Sequence, residues 1–159
     1  MWWVIAAIAL LIDLITVCDK NRTGYKGVKL KVFNIVMKND EYQLNQKTSL
    51  ILTGVIRLFM KKDWVKNRFI ERVEVDCKKI NELLNGSEIS ELFMKTHSGM
   101  KEIMIKHLDI KVENPEEPVK GYSNLGWNNL YFRTRGRFKK RPENFHRCKI
   151  TFKENVDKC

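Results

Sequence analysis

Proline and glycine are scarce in this chain, which has 3 Pro and 8 Gly among its 159 residues. Low-complexity tracts and internal repeats are lacking as well, which excludes collagen-like, disordered and solenoid architectures. Hydrophobic residues make up 43% of the chain and charged residues 31%, as in folded globular proteins. The length therefore suits one domain around one core.

Motifs of catalysis and cofactor binding are also missing. The sequence has no glycine-rich phosphate loop, no H-E-x-x-H, no G-x-S-x-G and no EF-hand loop. Its three histidines lie far apart along the chain. We predict a protein that is not an enzyme, has no catalytic residues, and binds neither a metal nor a cofactor.

An apolar run opens the chain over residues 2–17 and ends sharply at a polar stretch. The run is short for a bilayer-spanning helix, which needs about 20 predominantly apolar residues, and Asp13 interrupts it. Thr16 and Cys18 supply the small residues that precede a signal-peptide cleavage site. We predict that residues 1–18 are a signal peptide and that residues 19–159 form a single extracellular domain. An uncleaved single-pass anchor is the alternative.

Glycosylation signals and charge add to this picture. Asn21 and Asn85 are N-glycosylation acceptors in Asn-Arg-Thr and Asn-Gly-Ser, which agrees with export. The formal net charge of +11 attracts nucleic acid, anionic lipid, acidic glycans and acidic proteins without choosing among them. Export makes nucleic acid the least expected of these partners.

The four cysteines include no C-x-x-C pair and no spacing suited to zinc. In an exported protein that has lost Cys18, we expect a disulfide between Cys77 and Cys148, with Cys159 left over. A bridge that closes a loop of this length contributes about 4 kcal/mol in the loop-entropy model. Two buried, reduced thiols are the alternative.

Short runs with a period of two residues indicate strands. They occur at 28–32, 49–60, 69–75, 103–112, 122–138 and 146–153. Apolar residues at intervals of three to five over 80–93 indicate two short helices, interrupted at Asn85-Gly86. The clearest loop is 114–118, which contains two prolines. The pattern predicts a mainly β fold, an antiparallel, immunoglobulin-like sandwich or cup with one or two short helices.

A run of basic residues occupies 133–141, where six of nine residues are cationic. On a strand or hairpin, Arg133, Arg135 and Arg137 would project from one face and bind phosphate, sulfate or carboxylate groups. A solvated hairpin whose charges oppose edge-to-edge pairing is the alternative.

Two segments resemble secreted insect proteins of the ML lipid-recognition family, which include ganglioside-activator-like chemosensory proteins. Residues 67–85 resemble the family's strand ending in Asp and Cys followed by a short helix. Residues 118–122, Pro-Val-Lys-Gly-Tyr, resemble its turn before a late strand. The resemblance implies a β-sandwich cup that holds a lipid, long-chain hydrocarbon or pheromone between its sheets. The large apolar residues expected to line that cavity are Phe59, Trp64, Phe69, Trp127 and Tyr131.

Together these features predict a secreted, non-catalytic binding protein for a hydrophobic small molecule or lipid, with a chemosensory role and a membrane receptor as a further partner. Two alternatives use the same features. The apolar N-terminus fits a membrane-anchored accessory subunit of a membrane or organelle complex. The basic run fits a secreted binder of acidic glycans or nucleic acid.

Overall fold

The computed structural model describes residues 1–22, 25, 28–86 and 89–154. Across that part of the chain it has five helices and one five-stranded sheet. The helices are α1 Trp2–Arg22, α2 Ile51–Leu58, α3 Lys62–Gly86, α4 Ser98–Met104 and α5 Asn124–Arg135. The strands are β1 Phe33–Lys38, β2 Glu41–Gln46, β3 Glu91–Thr96, β4 Asp109–Val112 and β5 His146–Thr151.

The sheet is mixed and has the strand order β1-β2-β3-β5-β4. The β2–β3 pair is parallel, whereas the other neighbouring pairs are antiparallel. A hairpin joins β1 to β2 through Asn39 and Asp40, whose φ angles are 52° and 60°. Positive φ at both turn residues matches the right-handed twist of the strands, and Asn and Asp tolerate that conformation better than most residues.

Helices cover the apolar face of the sheet. In the strand register Ile35 pairs with Leu44, and Leu92 pairs with Ile150. These four residues belong to one core cluster that also contains residues of α4 and five residues of α3: Phe69, Val73, Cys77, Ile80 and Leu84. On the other face cross-strand ion pairs such as that of Lys149 with Glu91 meet solvent. The result is a helical layer packed on one side of a sheet.

The predicted mainly β, immunoglobulin-like sandwich is wrong, because the fold is mixed α/β. Four segments that were predicted as strands are helical. The predicted strand 49–60 contains α2, 69–75 lies within α3, the start of 103–112 belongs to α4, and 122–138 contains α5. In α3 the buried positions recur every three or four residues along 25 residues. A helix therefore buries far more apolar surface than the brief alternation at 73–75 offers to a strand.

The end of the helical region was predicted only in part. The interruption at Asn85-Gly86 is confirmed, since α3 ends at Gly86. The second short helix is wrong, because β3 occupies Glu91–Thr96. The closing strand is confirmed as β5, residues 109–112 form β4, and 114–118 is a loop.

The predicted disulfide is not formed in the structure. Cys77 in α3 and Cys148 in β5 are buried free thiols of the core between helix and sheet. Burial is the main cause that raises the pKa of Cys77 to about 12, and it also raises the pKa of Cys148. The prediction rested on export and loop length. Neither determines whether two cysteine side chains have the distance and orientation that a disulfide requires. Cys159 lies outside the described residues.

Asp76 fixes the entry of β1. Its side chain is completely buried, and its carboxylate accepts hydrogen bonds from the backbone N–H groups of Lys31, Val32 and Phe33 at 2.8, 2.6 and 3.2 Å. The carboxylate thus accepts hydrogen bonds from the two residues before β1 and from its first residue. A buried N–H that is left unpaired is costly. Asp76 joins the middle of α3 to the first strand.

The helix α1 is apolar and largely exposed. Its Trp2–Asp19 window has a mean hydropathy of 2.0, and 11% of that window is buried. By length and composition it is able to cross a membrane, a test that a signal sequence also passes. Asp13 accepts a hydrogen bond from Arg133 Nη1 at 2.5 Å and another from the Ile51 backbone N–H at 2.9 Å. Removal of residues 1–18 stays a prediction.

Candidate ligand-binding cleft

The helix α5 brings most of the candidate site together. It begins after Ser123, whose hydroxyl accepts a hydrogen bond from the Gly126 N–H at 3.1 Å, and it ends at Gly136 in the left-handed conformation with φ of 65°. Between these caps, Trp127, Leu130 and Thr134 are buried at a spacing of three and four residues. The helix therefore turns one continuous side toward α3 and α4.

A cleft of about 650 Å³ lies between α3, α4, α5 and the segment after α5. We call it the basic cleft. The residues that line it are Gln46, Lys62, Val65, Lys66, Ile70, His97, Gly99, Met100, Ile103, Trp127, Leu130, Tyr131, Thr134, Arg135, Arg137, Phe138 and Lys139. This volume is within the usual range for small-molecule sites, about 300 to 1,000 Å³.

The floor of the basic cleft is apolar. Val65, Met100, Trp127 and Leu130 line it and are themselves buried. Trp127 is held in place by its indole N–H, which donates to the Lys139 carbonyl at 2.9 Å. A fixed apolar floor of this kind removes hydrocarbon or ring surface from water when a ligand binds.

Aromatic rings stack along one wall. The ring centroids of Trp127 and Tyr131 are 5.6 Å apart, and His97 meets Trp127 edge-on at 5.3 Å and Phe145 edge-on at 5.8 Å. These distances are typical of favourable aromatic pairs. These ring contacts order the side chains along this side of the cleft.

The charges around the cleft are of one sign. Five of the lining residues are cationic, namely Lys62, Lys66, Arg135, Arg137 and Lys139, and none of the described lining residues is Asp or Glu. Cations that converge on a partly enclosed apolar cavity create a positive potential that is screened less than on an open surface. The cleft thus combines an apolar floor with a cationic rim.

Among these cations, Arg135 is held against two aromatic rings. Its guanidinium lies 3.5 Å from the centroid of the Phe69 ring and 5.0 Å from that of Tyr131. In the described part of the chain, its Nε is buried without a hydrogen-bond partner. Burial lowers the pKa of Arg135, although Tyr131 acts in the opposite direction. An arginine stays charged under these conditions, so the guanidinium keeps its positive charge, with a hydrogen bond to the Tyr131 side chain and one N–H, at Nε, without an acceptor.

The cations of the basic cleft also act on His97. Burial lowers the pKa of His97, and the nearby cations Lys139 and Arg135 lower it further. The imidazole is therefore predominantly neutral at pH 7 and gains a proton more readily when an anion enters the cleft.

A second cavity of about 330 Å³ adjoins the basic cleft. The two share Gln46, His97, Met100 and Trp127, and the second is also lined by Tyr122, Phe145 and the cations Lys38, Lys95, Lys120 and Arg147. Arg147 is already paired, with Glu41 at 2.8 Å and Glu113 at 2.5 Å.

The predicted lining residues divide into two groups. Trp127 and Tyr131 line the basic cleft, and Phe69 lies beneath the guanidinium of Arg135. Phe59 is 84% exposed and Trp64 is half exposed, and neither lines this cleft. The strand assignment placed all five on one cup, whereas helix geometry turns Phe59 and Trp64 outward.

The predicted anion-binding arginines also separate. Arg133 and Arg135 are in the last turn of α5, so the strand or hairpin assumed for this run is wrong. Arg135 and Arg137 line the basic cleft, but Arg133 pairs with Asp13. Arg137 also donates to the carbonyls of Leu58 and Gly136 at 2.6 and 2.8 Å, so its role is partly structural.

Sequence reasoning missed His97, Met100, Lys62 and Lys66. The two lysines share a face of α3 with Val65 and Ile70 in the cleft lining. Their helical spacing is visible in the sequence once α3 is recognised, but their proximity to α4 and α5 is not.

The two glycosylation acceptors lie at helix ends. Asn85 is exposed in the last turn of α3, and Ser87 of its signal is outside the described residues. Asn21 is in the last turn of α1, and its side chain is outside the described residues. Glycosylation of both stays a prediction.

Comparison of the chain with family models, with curated proteins and with solved structures found no match.

Proposed function

We propose that the protein binds an anionic amphiphile, a molecule with an apolar chain or ring and an acidic head such as a carboxylate, in the basic cleft. The observation that carries the proposal is Arg135, a half-buried cation with an unpaired Nε that lines a cavity with an apolar floor and with no Asp or Glu among its described lining residues. The ligand is bound and released without chemical change.

The energetics favour both parts of such a ligand. Apolar surface that leaves water contributes about 25 cal/mol per Å². A hydrogen bond to a charged group contributes about 1.5 to 3 kcal/mol, because the buried donor is otherwise left without a partner. The floor at Trp127 and Leu130 provides the first term, and Arg135 provides the second.

The geometry narrows the ligand class expected from the sequence. A neutral hydrocarbon would leave five cations in the rim without a counter-charge, so an acidic lipid is favoured over a neutral one. Binding of a long acidic glycan or nucleic acid along 133–141 is less favoured. Arg133 is neutralised by Asp13 and Arg137 is bonded to backbone carbonyls, so the run does not present a row of free cations.

The test is saturable binding of a fluorescent fatty acid to the purified full chain in mild detergent. We expect Arg135→Gln to weaken binding by about 10-fold or more, the equivalent of one charged hydrogen bond. Arg68→Gln is the matched control, because Arg68 is exposed, pairs with Glu71 and does not line the cleft.

A chain-length-matched alcohol separates the contribution of charge from that of apolar burial. We expect the wild type to bind the alcohol more weakly than the acid, and Arg135→Gln to bind both about equally. Absence of saturable uptake, or equal affinities of Arg135→Gln and Arg68→Gln, would contradict the proposal.

A further inference from the structure

The helix α2 is oriented with its apolar side away from the protein. The outward residues are between 38% and 84% exposed: Ile51, Leu52, Val55, Ile56, Leu58 and Phe59, the last of these at the C-cap. At 100° per residue they span less than half of the helix circumference. A soluble amphipathic helix has the opposite orientation, so this surface is not explained by packing within the domain.

Specific contacts hold α2 in this orientation. Gly54 is the buried residue of the helix, and a Cβ there would lie 2.7 Å from the Phe132 carbonyl oxygen. Arg57 points inward and donates to the carbonyls of Arg133 and Thr134 at 3.1 and 2.8 Å. The small residue and the guanidinium therefore face α5, and the apolar side is fixed outward.

Two further exposed aromatic residues lie close to α2 in the fold or in sequence. Phe138 is 72% exposed and stacks on Phe132 at 5.2 Å between centroids, next to the contact with Gly54. Trp64 is half exposed in the first turn of α3. We call the outward residues of α2 together with Phe138 the α2 surface.

Cations border the α2 surface. Lys61 and Lys62 follow Met60, the residue after Phe59, and Lys139 and Lys140 follow Phe138; all four are exposed. Asp63 follows Lys62, and Glu143 pairs with Lys140 at 3.6 Å, so four lysines stand against two carboxylates at this edge. Large apolar residues beside exposed lysines are the composition of helices that lie in the interface of anionic membranes.

The position of α1 fits the same arrangement. The Ile51 N–H at the start of α2 donates to Asp13, which is six residues before the end of the apolar window at Asp19. At 1.5 Å per residue that separation is about 9 Å along α1, and interfacial helices bury their apolar side about 5 to 10 Å deep. If α1 enters a bilayer, the start of α2 lies at the depth of the headgroup and acyl boundary.

We propose that the α2 surface docks in the interface of a bilayer that contains anionic lipid, beside α1. The occupant is the lipid headgroup and acyl boundary, with the lysines on the anionic headgroups and the α2 side chains among the acyl carbons. This inference does not depend on a ligand in the basic cleft.

The test is depth measurement by nitroxide accessibility on the full chain, reconstituted in vesicles of phosphatidylcholine and phosphatidylserine. Single cysteines at Leu52→Cys and Ile56→Cys are labelled in a background with Cys18→Ser and Cys159→Ser, since Cys77 and Cys148 are buried. The matched control is Leu125→Cys, an 81% exposed leucine at the opposite end of α5.

We expect the two α2 labels to be accessible to oxygen and protected from a water-soluble nickel complex, and Leu125 to show the reverse. Protection from nickel should decrease severalfold when phosphatidylserine is omitted, or when Lys61 and Lys140, which do not line the basic cleft, are both replaced by Gln. The inference is overturned if the α2 labels match Leu125, or if they are shielded from both reagents, as a protein partner or second copy would shield them. Fatty-acid binding by the same variants reports on the cleft separately.

Discussion

At the scale of single residues, Asp76 shows how one buried carboxylate organises distant chain segments. Its three hydrogen-bond donors are 43 to 45 residues away in sequence. The charge is tolerated in the core because both carboxylate oxygens accept hydrogen bonds from backbone N–H groups, one at Oδ1 and two at Oδ2. No sequence pattern indicates this role, since an acidic residue between apolar ones fits an exposed strand position equally well.

Asp76→Ala is expected to destabilise the protein by about 3 kcal/mol or more, because it leaves three backbone N–H groups, two of them buried, without an acceptor. Asp63→Asn, an exposed change in the first turn of the same helix, is expected to cost less than about 1 kcal/mol. Urea unfolding of the full chain in detergent measures both. A loss for Asp76→Ala that is no greater than the loss for Asp63→Asn would show that these bonds do not hold β1.

His97 provides a test of the electrostatics of the basic cleft. Its pKa is lowered by burial, Lys139 and Arg135, and a bound anion raises it again. The complex then binds more protons than the free protein, so affinity for an anion must increase as the pH falls through the ordinary histidine value of about 6.5. An alkyl sulfonate keeps its own charge constant over this range.

We expect the affinity for the sulfonate to increase as the pH falls from 8 to below 6, by up to about tenfold for each unit by which the anion raises the pKa of His97. His97→Gln should abolish the increase. His107→Gln is the matched control, because the pKa of His107 is also lowered by burial but the residue does not line the cleft. Calorimetry at several pH values measures the slopes, and a slope that survives His97→Gln would assign it to another group.

At the scale of secondary structure, α3 and α5 were predictable. Val65, Phe69, Val73, Cys77 and Ile80 follow helical spacing, which extends much further than the alternation around Val73. The segment of α5 is bounded by a serine that caps its start and a glycine that caps its end. The Asn-Asp pair at 39–40 is likewise a hairpin signal between two strands.

The orientation of α2 was not predictable. Residues at i, i+1, i+4 and i+5 indicate an amphipathic helix but not whether its apolar side faces a core or an outside medium. The basic cleft has the same limitation, because its residues come from three helices and from a segment outside them. Their proximity depends on tertiary packing, and only the partial set of Trp127, Tyr131, Arg135 and Arg137 was anticipated.

Gly54 tests the packing that holds α2. Gly54→Ala places a methyl group 2.7 Å from the Phe132 carbonyl, so the helix must shift, and overpacking of this kind costs about 1 to 3 kcal/mol. Gly86→Ala adds a methyl group with nothing within 4 Å and is expected to be neutral or slightly stabilising. Unfolding free energies of the two variants give the comparison, and equal effects would show that α2 is not seated on α5.

At the scale of the whole molecule, the net charge of +11 predicted an anionic partner but not its location. The structure gathers cations at the basic cleft and at the edge of the α2 surface, and it neutralises others within the domain. Arg147 has two carboxylate partners, and Arg133 has one in α1. The net charge therefore indicates the class of partner, whereas the positions of the unpaired cations indicate where that partner binds.

The ion pair of Asp13 and Arg133 makes the stability of the domain depend on whether α1 is retained or cleaved. The two side chains are 9% and 13% exposed, so removal of either partner leaves a mostly buried charge. If α1 is cleaved as a signal peptide, Arg133 keeps the Asn129 side chain at 2.8 Å and the Ser49 carbonyl at 3.2 Å, but it loses its counter-ion.

We expect Asp13→Asn and Arg133→Gln each to destabilise the full chain by about 2 kcal/mol, with a coupling energy of at least about 1 kcal/mol in the double variant. The exposed pair of Arg68 and Glu71 is the control cycle, for which the coupling is below about 1 kcal/mol.

The mass of the intact chain shows whether residues 1–18 are present in the molecule that is measured. If the chain isolated from cells lacks residues 1–18 and Arg133→Gln is neutral in it, α1 only directs export and the α2 surface must meet the membrane without it. If residues 1–18 are present and the coupling is found, the role of Asp13 is explained. A carboxylate inside an apolar helix is unfavourable for a signal or an anchor alone, but here it makes the contact that holds α1 against α2 and α5.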